Sequence, residues 1–323
     1  MIKSLLILLL LSSFVSAKYT NCEFKNKNYG DVCKAVVKNG VSYEYANKFL
    51  LSYFKTKKFD EVSWKYLQPQ EITRHRENEK RANNVLVKYV PKMVINLKKY
   101  KKVYDKAEKK YGVNREIIAA ILMKETKLGE IKPTHDAFVV FNTIVVRTKG
   151  ETSREKWLLN MGKQNMASVI EYCYKDKLTP RDCNLPSSYA GAVGIPQFMP
   201  NSFAYADSYN GAVPDLTKME DAIMSAAKFL HDKSGFSTLI NWTEMPDIPK
   251  VEALWYDYAY ENKNASFVYE KSKNGEDYSC FTKGKKELYY MKKYTKKIMR
   301  YNNSSNYAVG VIRLAYDAHN LLK

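Results

Sequence analysis

Glu125 stands in the stretch Tyr111 to Glu130, YGVNREIIAAILMKETKLGE, one helical turn after Ile121 and Leu122. Ile117, Ile118, Ile121, Leu122 and Leu128 recur at the spacing of one helix face. Asn114 is the expected N-cap, its side-chain oxygen accepting a first-turn amide, and Gly129 the expected stop. Glu125 therefore belongs to the apolar side of this helix. Desolvation by its neighbours and the negative end of the helix dipole both raise its pKa. A carboxyl kept protonated near neutral pH is a general acid. The same spacing also fits a boundary glutamate that turns its head to solvent or to a lysine.

Two later stretches add groups suited to a sugar. Ser187 to Ser202 reads SSYAGAVGIPQFMPNS, and Gly191, Gly194, Pro196 and Pro200 make a loop whose backbone approaches a ligand closely. Gln197 offers an amide beside Phe198 and Met199, a mixture of hydrogen bonding and apolar wall that suits hydroxyl and acetamido groups. Arg300 to Tyr307, RYNNSSNY, is a polar and aromatic cluster opening a helix, with Ser304 or Ser305 as its N-cap. Taken singly, the first is also simply a loop and the second a capping segment.

The elements that must position these residues are mostly helices. Residues 18–85 read as a helical N-terminal segment, with Val36, Val37, Phe49, Leu50, Tyr53 and Phe54 as its apolar material and a charged run from Arg74 to Arg81. Val85 to Lys110 reads as a lysine-rich helix broken at Pro91, leading into the Glu125 helix. Further helices are expected over Met161 to Tyr174, Asp221 to His231 and Ile298 to Leu322. Residues 237–290 change character. Aromatic runs such as Ser266 to Tyr269 and Tyr278 to Thr282 alternate with Lys, Gly and Asn turns, as in a small β-containing insertion. The chain thus divides into residues 18–85 and a domain over 86–323.

Residues 1–17 read as a secretory signal peptide. Lys3 precedes the apolar run Leu5 to Leu11, and Val15-Ser16-Ala17 is a small-residue cleavage site. Cys22 lies beyond that site, so no lipid anchor is expected, and no later segment is long and apolar enough to span a bilayer. The expected product is soluble and periplasmic. In that compartment Cys22 with Cys33 and Cys173 with Cys183 are close enough to pair locally, leaving Cys280; other pairings stay open. His75, His135, His231 and His319 are scattered, and no cysteine has metal-ligand spacing with them, so neither metal nor cofactor is expected. The formal net charge of +19 points to an anionic polymer or surface. Export favours cell-wall glycan bearing peptide carboxylates over nucleic acid.

Three segments in order, ET-x-LG at Glu125 to Gly129, S-x-AGA-x-G-x-x-QFMP-x-S at Ser188 to Ser202, and RYN-x-S-x-x-Y at Arg300 to Tyr307, together resemble the B-type lytic transglycosylases. The resemblance runs from about Val90 to about Tyr316, and Asp136-Ala137 matches a further dipeptide of that family, with Asp136 expected to serve as a cap. It implies a mainly α, lysozyme-like (α+β) catalytic core acting on peptidoglycan glycan strands. It also implies that Glu125 is the single acid/base and that Ser188, Gln197, Phe198, Met199, Tyr301, Asn302 and Tyr307 line the glycan site. Such enzymes cleave the β-1,4 bond between N-acetylmuramic acid and N-acetylglucosamine and leave a 1,6-anhydro sugar. A hydrolase on the same fold and a silent wall-binding protein are the alternatives. Some members carry an EF-hand-like calcium loop after QFMP. Here the corresponding DSYNGAVPDLTK, Asp207 to Lys218, keeps Asp207 but has Tyr209 and Gly211 at inner ligand positions and Lys218 where an acid should close the site. No calcium is expected.

Overall fold

The computed structural model describes residues 22–53, 58–252 and 293–323, so the expected signal peptide, Cys280 and most of the expected β-containing insertion lie outside the described residues. Between 237 and 252 the chain forms a short 3-10 turn at Trp242–Glu244 and the start of a helix at 248–252. The chain resolves into two units. One holds the residues up to Gln68 with Pro133–Val193 and Phe198–Phe203; the other holds Pro69–Lys132, Gly194–Gln197 and Ala204–Lys323.

In the first unit, helices Lys27–Lys38, Tyr43–Ser52, Glu61–Tyr66, Ala137–Arg147 and Ser153–Lys175 start where a side chain accepts an otherwise orphan amide. Asn26, Ser42, Asp60 and Asp136 each cap one, and Thr152 forms a capping box with Glu155. The expectation that Asp136 is a cap therefore holds. The Ser153–Lys175 helix begins well before the expected Met161 because the capping box sits upstream of the apolar face. Phe49, Phe138 and Phe141 are fully buried in this core. The two disulfides are the local ones, Cys22–Cys33 and Cys173–Cys183. Two-residue strands, His135–Asp136 and Pro186–Ser187, pair antiparallel and are the sheet of the described residues.

The second unit is helical. Pro69–Val87, Val90–Lys99, Lys101–Tyr111, Arg115–Thr126, Met219–Asp232 and Ser305–Leu322 pack into one core. The stretch expected as one lysine-rich helix with a break is the parts of three. Pro91 does not interrupt a helix but opens one, in the first turn, where its missing amide costs nothing. The last helix starts at Ser305, since residues 299–304 turn and the Ser304 side chain caps its first turn. Arg115–Thr126 is the centre of this unit, packed by the Val90–Lys99, Lys101–Tyr111, Met219–Asp232 and Ser305–Leu322 helices. Every residue from Glu116 to Met123 is buried, so over that span the helix has no wet face. Each Ile or Leu so enclosed contributes about 1.5–3 kcal/mol through burial.

Gly194 opens the short 194–197 segment of this unit with φ +73°, and a Cβ there would lie 2.5 Å from the Leu216 Cβ and 2.7 Å from its carbonyl oxygen. Gly194→Ala is expected to cost about 2–4 kcal/mol, from the left-handed backbone and the clash together. Urea denaturation reads this directly, and an unchanged midpoint would show that the segment tolerates a side chain.

Candidate active site

The Arg115–Thr126 helix ends earlier than expected. Lys127 and Leu128 already have positive φ, 50° and 61°, and Gly129 follows at 83°. The cause is Thr126, whose hydroxyl donates to the Ile195 carbonyl (3.0 Å) and accepts from the Gly129 amide (3.0 Å). Asn114 does stand at the N-cap, but its amide makes no cap bond. It pairs instead with the backbone of Ile240, accepting from its amide at 2.6 Å and donating to its carbonyl at 3.3 Å. Both ends of the helix are thus tied to distant chain, and Glu125 sits in its last turn.

The second unit brings Glu125 together with Tyr307. The Tyr307 hydroxyl donates to Glu125 Oε1 at 2.6 Å, and the Tyr307 ring is buried. Tyr307 is placed by Ser304, whose Oγ caps the final helix by accepting the Tyr307 amide at 3.1 Å. Tyr301 hydrogen-bonds through its hydroxyl to the Pro196 carbonyl and packs edge-on against Phe229, with ring centroids 4.8 Å apart. Gln197 stands beyond Pro196 with φ 52°, and its side-chain amide folds back onto the Gly194 carbonyl at 2.9 Å. The Ile195 amide fixes this segment on the Leu216 carbonyl (2.8 Å). Asn302 is exposed.

Ser188, Phe198 and Met199 belong to the first unit. The Ser188 Oγ accepts from the Ala192 amide at 3.3 Å, closing its own turn. Phe198 is buried and exchanges backbone hydrogen bonds with Val193, while Met199 packs against that unit's core.

Burial pushes the Glu125 carboxyl up to about 7; the Tyr307 hydroxyl and the Lys124 ammonium oppose this, and Glu79 adds to it. A carboxyl at that value gives or takes a proton near neutral pH. Glu79, Asn83 and Lys124 carry no signal in the sequence beyond being polar. Glu79 belongs to the charged run Arg74 to Arg81, and only the packing of the Pro69–Val87 helix brings it inward, its side chain 18% exposed.

Comparison with known proteins fits this geometry. The model of the Transglycosylase SLT domain matches residues 25–316. The chain belongs to the SLT family of lytic transglycosylases. The match begins well before Val90, so the family likeness takes in N-terminal residues that the three motifs leave outside. Among solved structures, a 36 kDa muramidase/transglycosylase is 19% identical, covering 92% of this chain and 95% of its own, with a TM-score of 0.56. The Escherichia coli lytic transglycosylase Slt35 in complex with calcium is 18% identical, covering 92% and 94%, at 0.55. SltB3 from Pseudomonas aeruginosa in complex with NAG-anhNAM-pentapeptide is 16% identical, covering 89% and 77%, at 0.54. These likenesses establish the fold, mainly helical and lysozyme-like. Comparison with curated protein sequences finds no match.

The Asp207 to Lys218 loop does not fit a calcium ion. The Asp207 carboxylate accepts from the Lys110 ammonium at 2.9 Å and from the Tyr111 hydroxyl, and Lys106 donates to the Tyr209 carbonyl at 2.6 Å. Lys218 lies 3.6 Å from Asp215. Ammonium groups already stand on the oxygens a cation would need. Excess calcium is therefore expected to leave the melting temperature unchanged in scanning calorimetry, and a saturable rise would overturn this. For the carboxyl itself, Tyr307→Phe removes a bond that favours the ionised form. The Glu125 pKa should rise by about one unit, read by ¹³C NMR titration of labelled glutamate.

Proposed function

We infer that this protein is a peptidoglycan lytic transglycosylase in which Glu125 is both acid and base. The observation that carries the reading is the Glu125–Tyr307 pair, a carboxyl raised to about 7 by burial and held in place by a tyrosine hydroxyl at 2.6 Å. One of the solved relatives, SltB3, is in complex with peptidoglycan fragments, NAG-anhNAM-pentapeptide in one structure and NAG-NAM-pentapeptide in another, which supports the substrate class.

Protonated Glu125 gives its proton to the glycosidic oxygen as the C1–O4 bond breaks. The carboxylate so formed takes the proton of the muramyl 6-hydroxyl as that oxygen bonds to C1. One bond breaks, one forms, and the carboxyl is restored without water. Glycosidases that activate water, or form a glycosyl-enzyme, use two carboxyl groups; an internal nucleophile makes the second unnecessary. A value near 7 serves both half-steps, because near neutral pH the group is protonated often enough to act as an acid and ionises readily enough to act as a base, each proton moving in concert with the change at C1. Gln197, Tyr301, Asn302 and Tyr307, all of the unit that holds Glu125, are the proposed glycan-lining residues. The net charge of +19 favours encounter with a wall polymer bearing carboxylates. Residues 1–17 as a signal peptide and a periplasmic location complete the reading.

Mass spectrometry of muropeptides released from purified sacculi by the chain from Lys18 onward tests it. Ends in 1,6-anhydro-muramic acid, lighter by one water and resistant to borohydride, are expected. Reducible ends would mean a hydrolase. Glu125→Gln is expected to abolish release while glycan binding persists; activity near wild type would remove Glu125 from its role.

A further inference from the structure

Lys124 precedes Glu125, which is partly buried, and its own side chain is only 5% exposed. A lysine so placed loses most of its hydration and needs compensation from its surroundings. Here the ammonium stands 4.8 Å over the Tyr307 ring, hydrogen-bonds the Asn83 side-chain oxygen and lies 4.0 Å from Glu79. The Pro69–Val87 helix that supplies both partners is held against the final helix. Asn83 donates to the Asn306 carbonyl at 2.9 Å, and a Cβ on Gly310 would lie 2.3 Å from the Asn83 side-chain oxygen, so only glycine admits this approach. Glu79 also accepts from the Ser304 hydroxyl at 2.6 Å, the group that caps the helix carrying Tyr307.

We propose that Lys124 is a positioning residue: its ammonium, seated between the Tyr307 ring and the Asn83–Glu79 pair, sets the charge environment in which Glu125 exchanges its proton. This rests on the reading of Glu125 as acid and base. The cation acts along two routes. It favours the Glu125 carboxylate directly, and on the ring face it draws electron density and strengthens the Tyr307 hydroxyl as a donor. Glu79 acts in the opposite sense, limiting the effect so that Glu125 is not ionised outright. The other groups around the site fit this assignment. Tyr301 feels Glu125 but is neutral, and Glu252, which also faces Lys124, is paired with Arg313 at 2.9 Å. Lys127 stands over the Tyr89 ring, and Lys92 pairs with Glu130.

The test is the Glu125 pKa in the free, full-length mature protein, by ¹³C NMR of labelled glutamate with the signal assigned by its loss in Glu125→Gln. Lys124→Met is expected to raise it by about one unit and Glu79→Gln to lower it by a smaller amount. The basic limb of the pH–rate profile on sacculi should move with each, in the same directions. A purely structural role predicts weakened folding with no opposed shifts. Two unchanged values, or two shifts of one sign, would overturn the proposal even if anhydro products are formed. Opposed shifts in a protein that releases nothing would leave the electrostatic assignment standing and sink the proposed reaction instead.

Discussion

A carboxyl cannot be taken out of water without something else replacing its hydration, and the second unit is built around that constraint. Glu125 occupies the last turn of a helix buried from Glu116 to Met123, where burial alone drives the carboxyl toward its neutral form. The Tyr307 hydroxyl supplies one hydrogen bond that opposes the rise, and the Lys124 ammonium opposes it too. Remove the enclosure and the group is an ordinary surface glutamate; remove the tyrosine and it is a buried acid with less reason to ionise.

That arrangement explains why residues far apart in the chain must meet. Thr126 does not point at substrate chemistry; it stops the helix one residue after Glu125 and bonds the 194–197 segment. Tyr301 holds the same segment from the other side through the Pro196 carbonyl. The three motifs are therefore partly a mutual scaffold. The 194–197 backbone accepts from a side-chain hydroxyl of each of the other two motifs, and those two meet at Glu125 and Tyr307, which is a physical reason for their occurring together.

The large positive charge likewise has more than one meaning. Some lysines, such as Lys34 and Lys38, are simply exposed. Others hold backbone and carboxylate oxygens in place. Lys106 and Lys110 hold the loop after QFMP by its carbonyl and carboxylate oxygens, and Lys124 is buried against a ring and two polar side chains. A count of charges treats all of these as equal. The fold does not.

Much was legible in the residues themselves. Periodicity marked the Glu125 helix and its apolar setting, Asp136 and one of Ser304 and Ser305 were readable as caps, with Ser304 the one that serves, and cysteine spacing suggested the two local disulfides. These depend on neighbours a few residues away, and local chemistry suffices to predict them. What failed was local inference where a distant partner intervened. Asn114 looked like a capping side chain, but Ile240 takes its amide, and Gly129 looked like the helix stop, but Thr126 ends it sooner. Lys124, Glu79 and Asn83 carried no pattern at all. Their meaning comes from the approach of two helices at Gly310, and a charge acquires its effect on a carboxyl only once packing has removed the water between them.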